Sequence, residues 1–370
     1  MGYLGIGLGA DSYSNVMEIA EGSIMSGKYF QLGGLNMPNS MGNRLTIRDA
    51  NSAFYVTNGV AASYIGGERS DNAVEVLDGA KLVMNGTLYV GGRSQTASTN
   101  ENCSMNNSLT VRGGATFISM DYLYVGYGSE YGVAPNSYDR YPAPNNRIEV
   151  LDGSVVLSGY ADPSVKGDDY YYMPICIGNQ RPSHSNEVRI VDSAWTNFMG
   201  RIFVGHYSDY NKLVLSNGTF CALINEGYQH HSGGGAVYTG YDAGSSNNFI
   251  VIMGTNSQLH VGNAFVTRNA GGLDFTVGRK GYARTPVVVD KEWSCQTSSR
   301  LIVNATEWAA FMGGKLTLAT WEDGSFTGLT PRQYINSADL GPNPSYWLDI
   351  DGKSIVLCAP SKTRTQILVR

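Results

Sequence analysis

The sequence has few of the features that mark membrane proteins and nucleic-acid-binding proteins. No apolar run approaches the 18 or more residues of a membrane helix, and long helical stretches are absent. Charged residues make up only 15% of the 370 residues, and the net charge is −5. Nucleic acid is a poor candidate partner, because phosphate neutralisation needs clustered Lys and Arg and the chain has no basic run. We therefore expect neither a membrane span in this chain nor a nucleic-acid partner.

The cysteines are few and show no metal-binding or catalytic spacing. They are scattered, without a C-x-x-C pair: Cys103, Cys176, Cys221, Cys295 and Cys358. An odd number leaves at least one thiol unpaired within a monomer. Cys221 follows the Asn217-Gly218 turn, and we expect it to face the interior as a buried structural thiol. Nucleophile elbows, Walker loops and H-E-x-x-H motifs are also missing, so we predict no catalytic residue, no cofactor and no metal site.

What the sequence has in abundance is a repeat, and repeats decide the architecture of a chain. Each unit opens with asparagine-x-φ-x-φ, where φ is an apolar residue. The unit asparagines are Asn15, Asn43, Asn72, Asn107, Asn146, Asn186, Asn211 and Asn248. Apolar residues at alternate positions predict a half-buried strand rather than a helix. The asparagines are expected to form a structural ladder, with side-chain amides hydrogen-bonding from coil to coil.

A turn follows each strand, and an apolar residue with a glycine closes the unit. Asp78-Gly79 and Asp152-Gly153 are such turns, since glycine tolerates the positive φ that a reversal needs. Val90-Gly91 and Val125-Gly126 are such closures. Unit starts are separated by 25 to 40 residues, so a constant strand core carries insertions of variable length. That combination is typical of a solenoid, in which insertions form loops on a fixed coil.

We therefore predict an all-β fold, a right-handed parallel β-helix (β-solenoid) with an irregular C-terminal β cap. The solenoid of about nine to ten coils is expected over residues 1–285. Residues 286–370 are expected to hold the terminal coils and the cap, which covers the last apolar rung. Within the cap, Ile350-Asp-Gly-Lys353 predicts a hairpin turn.

The register of the repeat also predicts contacts between outward side chains. Arg147 and Glu187 occupy the first position after consecutive unit asparagines, and Glu149 and Arg189 occupy the third. Neighbouring strands lie about 4.8 Å apart. We therefore expect both pairs to form ion pairs between coils.

Long loops at 127–145, 160–174 and 225–237 carry many aromatic residues. Together with one C-terminal tryptophan they form a predicted interaction surface: Tyr127, Tyr131, Tyr138, Tyr141, Tyr170, Tyr171, Tyr172, Tyr228 and Trp347. A tyrosine ring has apolar area and a polar tip, which suits both sugar stacking and protein contact. Packing over neighbouring coils, self-association and carbohydrate binding all remain open for this surface.

For the acidic residues and the histidines, a structural role is a simpler explanation than catalysis or metal binding. The turn acids are Asp49, Asp78, Asp152 and Asp192. We expect them to cap turns, because glycosidase chemistry needs two carboxylates facing one cleft. The pair Asp168-Asp169 lies beside tyrosines and is interpreted as part of a solvated loop. His230 and His231 are adjacent, so on a strand they would point to opposite faces, and no third metal ligand stands at fixed spacing.

The unit Asn-x-φ-x-φ-x-Asp-Gly, closed by φ-x-Val-Gly, resembles the passenger-associated repeats of autotransporter-type bacterial surface proteins. The resemblance covers residues 1 to about 280. It implies a secreted right-handed β-solenoid that projects from the cell envelope, and so an extracellular or cell-surface location. The cysteines depart from the pattern of that family.

The leading functional hypothesis is an extracellular structural or adhesive surface protein, non-enzymatic, that self-assembles into filaments or a surface layer. Residues 2–9 match the closing part of a unit, so we expect the chain to open within a coil and to leave an edge that a second copy covers head to tail. Surface polysaccharide is a further expected partner. The alternative is a carbohydrate-active β-helix, either a polysaccharide lyase or hydrolase or a phage tailspike-like protein. Around residues 127–145 and 160–174, a groove with two or three convergent acids or Arg/Lys side chains favours the alternative, whereas a flat aromatic patch favours assembly.

Overall fold

Three long sheets wrap around a single core in the computed structural model of the chain. The model describes residues 2–9, 11–33, 40–59, 61–67, 70–92, 104–128, 143–159, 175–179, 183–198, 200–224, 234–308, 314–322, 326–341 and 345–360. Strands are numbered β1 to β33 in chain order, and the described residues contain one helix, α1. The three sheets hold 11, 10 and 12 strands, and almost all strand pairs are parallel.

Sheet B consists of the strands that follow the unit asparagines. Its strands are β2 (Val16–Ile19), β5 (Arg44–Arg48), β8 (Ala73–Leu77), β11 (Ser108–Arg112), β14 (Arg147–Leu151), β17 (Glu187–Val191), β20 (Lys212–Ser216), β23 (Phe249–Met253), β26 (Gly272–Thr276) and β29 (Arg300–Asn304). Every neighbouring pair in this sheet is parallel and separated by one coil, as the repeat predicts.

Sheet C consists of the strands that follow the turns. Its strands are β3 (Ile24–Gly27), β6 (Ala53–Val56), β9 (Lys81–Met84), β12 (Thr116–Ser119), β15 (Val155–Ser158), β18 (Ala194–Asn197), β21 (Thr219–Ala222), β24 (Gln258–Val261), β27 (Val287–Val289), β30 (Lys315–Trp321), β33 (Ser354–Cys358) and β32 (Trp347–Ile350). Pairing is parallel up to β30, and the last two strands are added antiparallel.

Sheet A consists of the strands that close each unit. Its strands are β1 (Tyr3–Ile6), β4 (Tyr29–Leu32), β7 (Ser63–Ile65), β10 (Leu88–Gly92), β13 (Leu123–Tyr127), β16 (Ile175–Asn179), β19 (Ile202–His206), β22 (Val237–Thr239), β25 (Phe265–Thr267), β28 (Trp293–Cys295) and β31 (Phe326–Gly328). One strand from each of sheets B, C and A makes a coil, so the described strands from Val16 to Gly328 build ten coils of a parallel β-helix.

The core fills the space between the three sheets and confirms the register that the repeat predicts. Of the sixteen apolar residues of the unit strands, fifteen are buried, and Val74 and Ile148 are completely inaccessible to solvent. Met17, in the first coil, is the half-buried exception. Burying one such aliphatic side chain stabilises a fold by roughly 1.5 to 3 kcal/mol. The alternation of apolar residues along each strand therefore buries these side chains in the core, where they stabilise the fold.

The turn acids adopt the left-handed backbone that a sharp corner requires. Asp49, Asp78, Asp152 and Asp192 have φ values of 79°, 54°, 56° and 48°. Aspartate and asparagine are the non-glycine residues that visit this region most readily, because their short side chains form local hydrogen bonds. The four carboxylates thus occupy corners between sheets B and C, as the turn-capping interpretation requires.

A hairpin and a helix cover the C-terminal end of the solenoid. Helix α1 (Pro331–Asn336) begins with a capping box between Thr330 and Gln333, and its Tyr334 is fully buried. Backbone hydrogen bonds between Asp351 and Ser354 close the hairpin that joins β32 to β33, as the sequence predicts. Antiparallel β33 pairs with β30 and so shields the last edge of the coil in sheet C.

Two expectations about outward side chains are wrong in detail. Arg147 does lie opposite Glu187, and Glu149 opposite Arg189, in the β14–β17 pair. The ion pairs, however, form along each strand: Arg147 Nε lies 3.6 Å from Glu149 Oε2, and Arg189 Nη1 lies 3.7 Å from Glu187 Oε1. Residues two apart on one strand share a face, so these contacts compete with those between strands.

Cys221 is the second correction, because it faces outward and is half-buried. Its neighbours along β21, Phe220 and Ala222, take the inward positions, and the ring of Phe220 is buried. Strand parity fixes this orientation, since successive side chains point to opposite faces.

Candidate functional site: the aromatic face of sheet A

The outer face of sheet A carries a column of aromatic rings. The second residue of strands β7, β10 and β13 points outward, and parallel pairing places these residues, Tyr64, Tyr89 and Tyr124, side by side. The Tyr64 and Tyr89 ring centroids lie 5.2 Å apart at an interplanar angle of 11°, and those of Tyr89 and Tyr124 lie 4.9 Å apart at 13°. Offset stacking at these distances is a favourable arrangement of aromatic rings. The solenoid thus converts one residue per coil into a continuous stack.

The column is interrupted at one coil and then continues. Cys176 occupies the same outward position in β16, between Tyr124 and Phe203. Beyond it, the rings of Phe203 and Tyr238 stack again, 5.1 Å apart at an interplanar angle of 17°. The column therefore has rings on both sides of a single coil that carries a small side chain.

A second row of rings stands edge-on to the first. Tyr127 contacts Tyr124 with centroids 4.9 Å apart and planes at 81°. Tyr241 does the same with Phe203, at 5.0 Å and 74°. Edge-to-face pairs place the positive edge of one ring against the negative face of another. The two rows together make a broad aromatic surface that stabilises itself.

A cavity of about 240 Å³ opens where the column is interrupted. The described residues of its lining are Tyr124, Cys176, Asn179, Arg201, Phe203, His206 and Tyr241. Two aromatic rings flank the cavity, the thiol of Cys176 lies between them, and polar side chains complete the lining. No aspartate or glutamate is among these lining residues.

His206 is a titratable residue of this cavity, and both of its ring nitrogens have close polar neighbours. Its Nδ1 lies 2.8 Å from Asn179 Oδ1, and its Nε2 lies 2.9 Å from Asp242 Oδ2. The Asp242 contact is electrostatic rather than a well-directed hydrogen bond, because Oδ2 lacks a partner in hydrogen-bonding geometry. Burial lowers the pKa of His206, and the charge of Asp242 opposes that effect. Both ring nitrogens are thus engaged.

Cys176 has the properties of an unreactive thiol. It is 1% exposed, and burial raises its pKa well above the ordinary value, so the nucleophilic thiolate is disfavoured. His206 shares the cavity, but its two nitrogens face Asn179 and Asp242. The cavity therefore contains a cysteine that is not activated as a nucleophile.

A second cluster, on the outer face of sheet C, contains Cys221, His260 and Asp290. Cys221 lies opposite His260 in the β21–β24 pair, and His260 Nε2 lies 2.9 Å from each carboxylate oxygen of Asp290. Burial raises the pKa of Cys221. Across the described ranges, no group of three or more His, Cys, Asp or Glu residues could hold a metal ion.

The structure describes two residues of the predicted interaction surface. Tyr127 lies in β13 and is part of the aromatic face, whereas Trp347 lies in β32, on sheet C beyond the last coil, and is 47% exposed. The fold therefore does not bring these two together. The other seven lie outside the described residues: Tyr131, Tyr138, Tyr141, Tyr170, Tyr171, Tyr172 and Tyr228. The pairs Asp168-Asp169 and His230-His231 also lie outside them.

The three long loops nevertheless begin or end at strands of sheet A. One leaves β13, one enters β16 and one enters β22. The described part of sheet A between these points carries the interrupted ring column. Topology thus associates the loops chosen from the sequence with the face that carries the cavity.

The unit asparagines form a continuous hydrogen-bonded ladder beside sheet A. Oδ1 of Asn186 accepts hydrogen bonds from the backbone N–H of Asn146 at 2.8 Å and from its side-chain Nδ2 at 3.2 Å. The same double contact joins each consecutive pair from Asn15 to Asn248. Seven of the eight side chains are buried, and Asn15 is the exposed one. The ladder supports the closing turn that leads out of the aromatic face.

The closing glycines are needed because the ladder packs directly against them. At Gly66, a Cβ atom would lie 1.8 Å from Oδ1 of Asn107. Asn107 is the second unit asparagine after Gly66, following Asn72. Gly66 also has φ of 74°, which side chains rarely adopt. Glycine therefore serves both conformation and close approach at this corner.

Sequence reasoning missed the ring column, although its pattern is visible in the repeat. The column residues all stand two positions before the closing glycine, as in Leu88-Tyr89-Val90-Gly91 and Leu123-Tyr124-Val125-Gly126. Aligning the units on that glycine would have placed the rings, and the exceptional cysteine, in one line.

Comparison with known proteins does not assign the chain to a family. No protein-family model matches it, and no curated protein matches it either. Within the described ranges, none of the chain's helical structure is long and apolar enough to cross a membrane.

Proposed function

We propose that the protein is a non-enzymatic, extracellular or cell-surface scaffold that binds partners through the aromatic face of sheet A. The observation that carries this proposal is the column of stacked rings on the outer side of a parallel sheet, in which Tyr64, Tyr124 and Tyr238 are half-buried and Tyr89 and Phe203 are 7% exposed. Aromatic residues dominate the energetics of protein interfaces, because they present large rigid area at low entropic cost. The extracellular location rests on the resemblance of the repeat to bacterial surface solenoids.

The carbohydrate-active alternative receives less support from the same face. Cleavage of a glycosidic bond uses two carboxylates about 5 to 9.5 Å apart. Among the described residues that line the cavity there is no carboxylate, and Asp242 contacts one of them, His206. A parallel β-solenoid fits both hypotheses as a fold, so the composition of this face is what favours binding.

Adhesion assays with surface variants test the proposal. We expect beads coated with the Tyr64→Ser/Tyr89→Ser double variant to adhere at least tenfold less to the protein's target cells or polysaccharide coats than wild-type beads. Tyr55→Ser is the matched control, because Tyr55 points outward from β6 on sheet C and should leave adhesion unchanged. Protease accessibility on intact producing cells tests the location.

Equal adhesion of the double variant and the wild type would contradict the proposal. Release of reducing ends from a polysaccharide by the purified protein would instead support the enzyme alternative.

Self-association is a second candidate function, favoured by the two ends of sheet C. In the described part of the chain, β3 and β32 each pair on one side only, and they are the outermost strands of this sheet. Because β33 is antiparallel to both β30 and β32, β32 runs in the same direction as the coil strands. Each of the two edge strands has four residues. We propose that β32 of one copy pairs in parallel with β3 of the next.

Exposed apolar residues at the first coil supply the site for this contact. Ile24 in β3 is 71% exposed and Val16 in β2 is 70% exposed, which is unusual for aliphatic residues on strands. An edge of this kind is a template for further strand pairing. A heterologous contact repeats without closing, so it produces a filament.

Sedimentation of wild-type and charged variants tests self-association. We expect wild-type protein to sediment above the 39.9 kDa monomer and Val16→Lys/Ile24→Lys to shift it to the monomer. Val155→Lys is the control, because Val155 takes the same outward position as Ile24 in the middle of sheet C. A monodisperse wild-type monomer at high concentration would contradict this candidate.

A further inference from the structure

The two outermost strands of sheet C each begin with an exposed apolar residue. Ile24 opens β3 and is 71% exposed, and Trp347 opens β32 and is 47% exposed. Trp347 differs from the other four tryptophans, each of which is at most 8% exposed: Trp195, Trp293, Trp308 and Trp321. Large apolar side chains left accessible on an edge strand mark a contact surface.

Strand parity restricts how these two strands can pair. Met25 of β3 and Leu348 of β32 are inward residues, and both pack against the core. A pairing that continues sheet C aligns inward positions with inward positions, so the strands match either in phase or with a shift of two residues. The in-phase register sets the four residues of β32 opposite those of β3: Trp347 and Ile24, Leu348 and Met25, Asp349 and Ser26, Ile350 and Gly27.

The in-phase register is the one that uses both strands fully. All four residues of each strand then have a partner, whereas a shift of two residues leaves half of each strand unpaired. One of the two shifts also sets the carboxylate of Asp349 beside Ile24. Aromatic and β-branched side chains that lie opposite each other on neighbouring strands stabilise a sheet, and Trp347 and Ile24 are such a pair in phase.

The charge on this edge is balanced within its own copy. A charged side chain on an edge strand discourages pairing with another chain. Arg332 Nη2, however, lies 2.9 Å from Asp349 Oδ1, so the carboxylate of β32 already has a partner. In the in-phase register this ion pair faces the small hydroxyl group of Ser26.

We propose that Trp347 is the anchor of the contact between copies, with its indole ring packed on Ile24 of the next copy in the in-phase register. This inference rests on the proposed self-association and specifies its register and its central residue. A second copy suits β32, because β3 matches that strand in direction, length and parity. Tryptophan is prominent among the residues that dominate the energetics of protein interfaces.

Quenching of tryptophan fluorescence by iodide tests the anchor directly, because Trp347 is the exposed one of the five tryptophans. Iodide does not reach buried indole rings. We expect the quenchable fraction in assembled wild-type protein to lie at least fivefold below that of Val16→Lys/Ile24→Lys, with ionic strength held constant by chloride. Trp347→Phe in the double-lysine background should abolish the quenchable signal, which identifies its source.

Sedimentation of the same samples separates failure of the anchor from failure of self-association. Wild-type protein that sediments above the monomer while its Trp347 stays fully quenchable would overturn the anchor and leave self-association standing. A wild-type monomer at high concentration would overturn both.

Cross-linking of cysteine variants tests the register. Mild oxidation of a mixture of Ser26→Cys and Asp349→Cys proteins should give a covalent dimer, because in phase these residues face each other across strands about 4.8 Å apart. In the matched control Tyr55→Cys replaces Ser26→Cys, since Tyr55 neighbours Ser26 on β6, one strand further into sheet C. Equal dimer yields from the two mixtures would overturn the register.

Substitutions of Trp347 measure its contribution to association. Trp347→Ser should weaken association at least tenfold, whereas Trp347→Phe keeps a ring and should weaken it less than threefold. The residue is exposed, so both variants should retain the circular dichroism spectrum of the wild type. Association of Trp347→Ser as tight as that of the wild type would overturn the anchor.

Discussion

Removing one asparagine from the middle of the ladder should destabilise the solenoid far more than removing the first. We predict this for Asn186→Ala, because the Asn186 side chain is 1% exposed and joins two coils. Its Oδ1 accepts from the backbone N–H of Asn146, and its Nδ2 donates to the Ser183 carbonyl at 2.7 Å and to Asn211 Oδ1 at 3.2 Å. The substitution removes all of these contacts at once.

The magnitude follows from which groups are left without partners. Side-chain Nδ2 of Asn146 keeps the Ser104 and Ala143 carbonyls as acceptors, at 2.8 and 2.9 Å. Its backbone N–H loses its 2.8 Å acceptor and stays buried. A buried orphaned donor costs about 1 to 3 kcal/mol, and each further lost hydrogen bond contributes about 1 kcal/mol. We therefore expect Asn186→Ala to lower the free energy of unfolding by about 3 kcal/mol.

Asn15→Ala is the matched control at the exposed end of the ladder. Asn15 Nδ2 donates to Asn43 Oδ1 at 2.9 Å, and that oxygen still receives the backbone N–H of residue 15 after the change. No buried group is orphaned, so the expected loss is about 0.5 to 1 kcal/mol.

Urea unfolding followed by circular dichroism measures both losses, and amide hydrogen exchange at Asn146 locates the effect. A solenoid can open locally, so the exchange measurement guards against a transition that is not two-state. Equal losses in Asn186→Ala and Asn15→Ala would refute the reasoning, and so would an unchanged exchange rate at Asn146.

Two further predictions concern the corners and the histidine of the cavity. Gly66→Ala should lower the free energy of unfolding by about 3 kcal/mol, because the residue has positive φ and a Cβ atom there would clash with Asn107. Gly153 has nearly the same φ but open space around it, so Gly153→Ala should lower the free energy of unfolding by about 1 kcal/mol. Similar urea midpoints for the two variants would contradict this prediction. Burial holds the pKa of His206 below the unfolded value of about 6.5, so its contribution to stability is present above that pH and is lost as pH falls through the folded pKa. Thermal unfolding of wild type and His206→Gln across this range should therefore converge at acidic pH, and parallel curves would count against it.

The functional hypotheses were harder to reach from sequence than the fold, for a physical reason. The loops that carry Tyr131 and Tyr170 attracted attention because they interrupt the repeat. The ring column, in contrast, is part of the repeat and was hidden by it. Tyr89 and Tyr124 are outward residues of strands, and outward positions carry no burial signal that would single them out.

The sequence by itself determined the strands, their inward faces and the order in which they stack. Alternation over Asn72 to Leu77 specifies which side chains enter the core, because strand parity is a local property. The asparagine at a fixed place in each unit then aligns one coil with the next. Even the C-terminal hairpin was readable, since the Asp351-Gly352 turn is also local.

Only the tertiary structure decided which distant residues share a surface. The insertions between Tyr124, Cys176 and Phe203 differ in length, so their separations in sequence do not show that the three stand in one line. His206 meets Asp242, and Gly66 meets Asn107, because the coils stack in space. Two carboxylates can also compete for one guanidinium group. Arg147 contacts Glu149 on its own strand rather than Glu187 on the next, and this choice depends on the side-chain conformations in the folded protein. The periodicity of the strands can be read from the sequence, whereas contacts between residues of different coils form only when the chain folds into the solenoid.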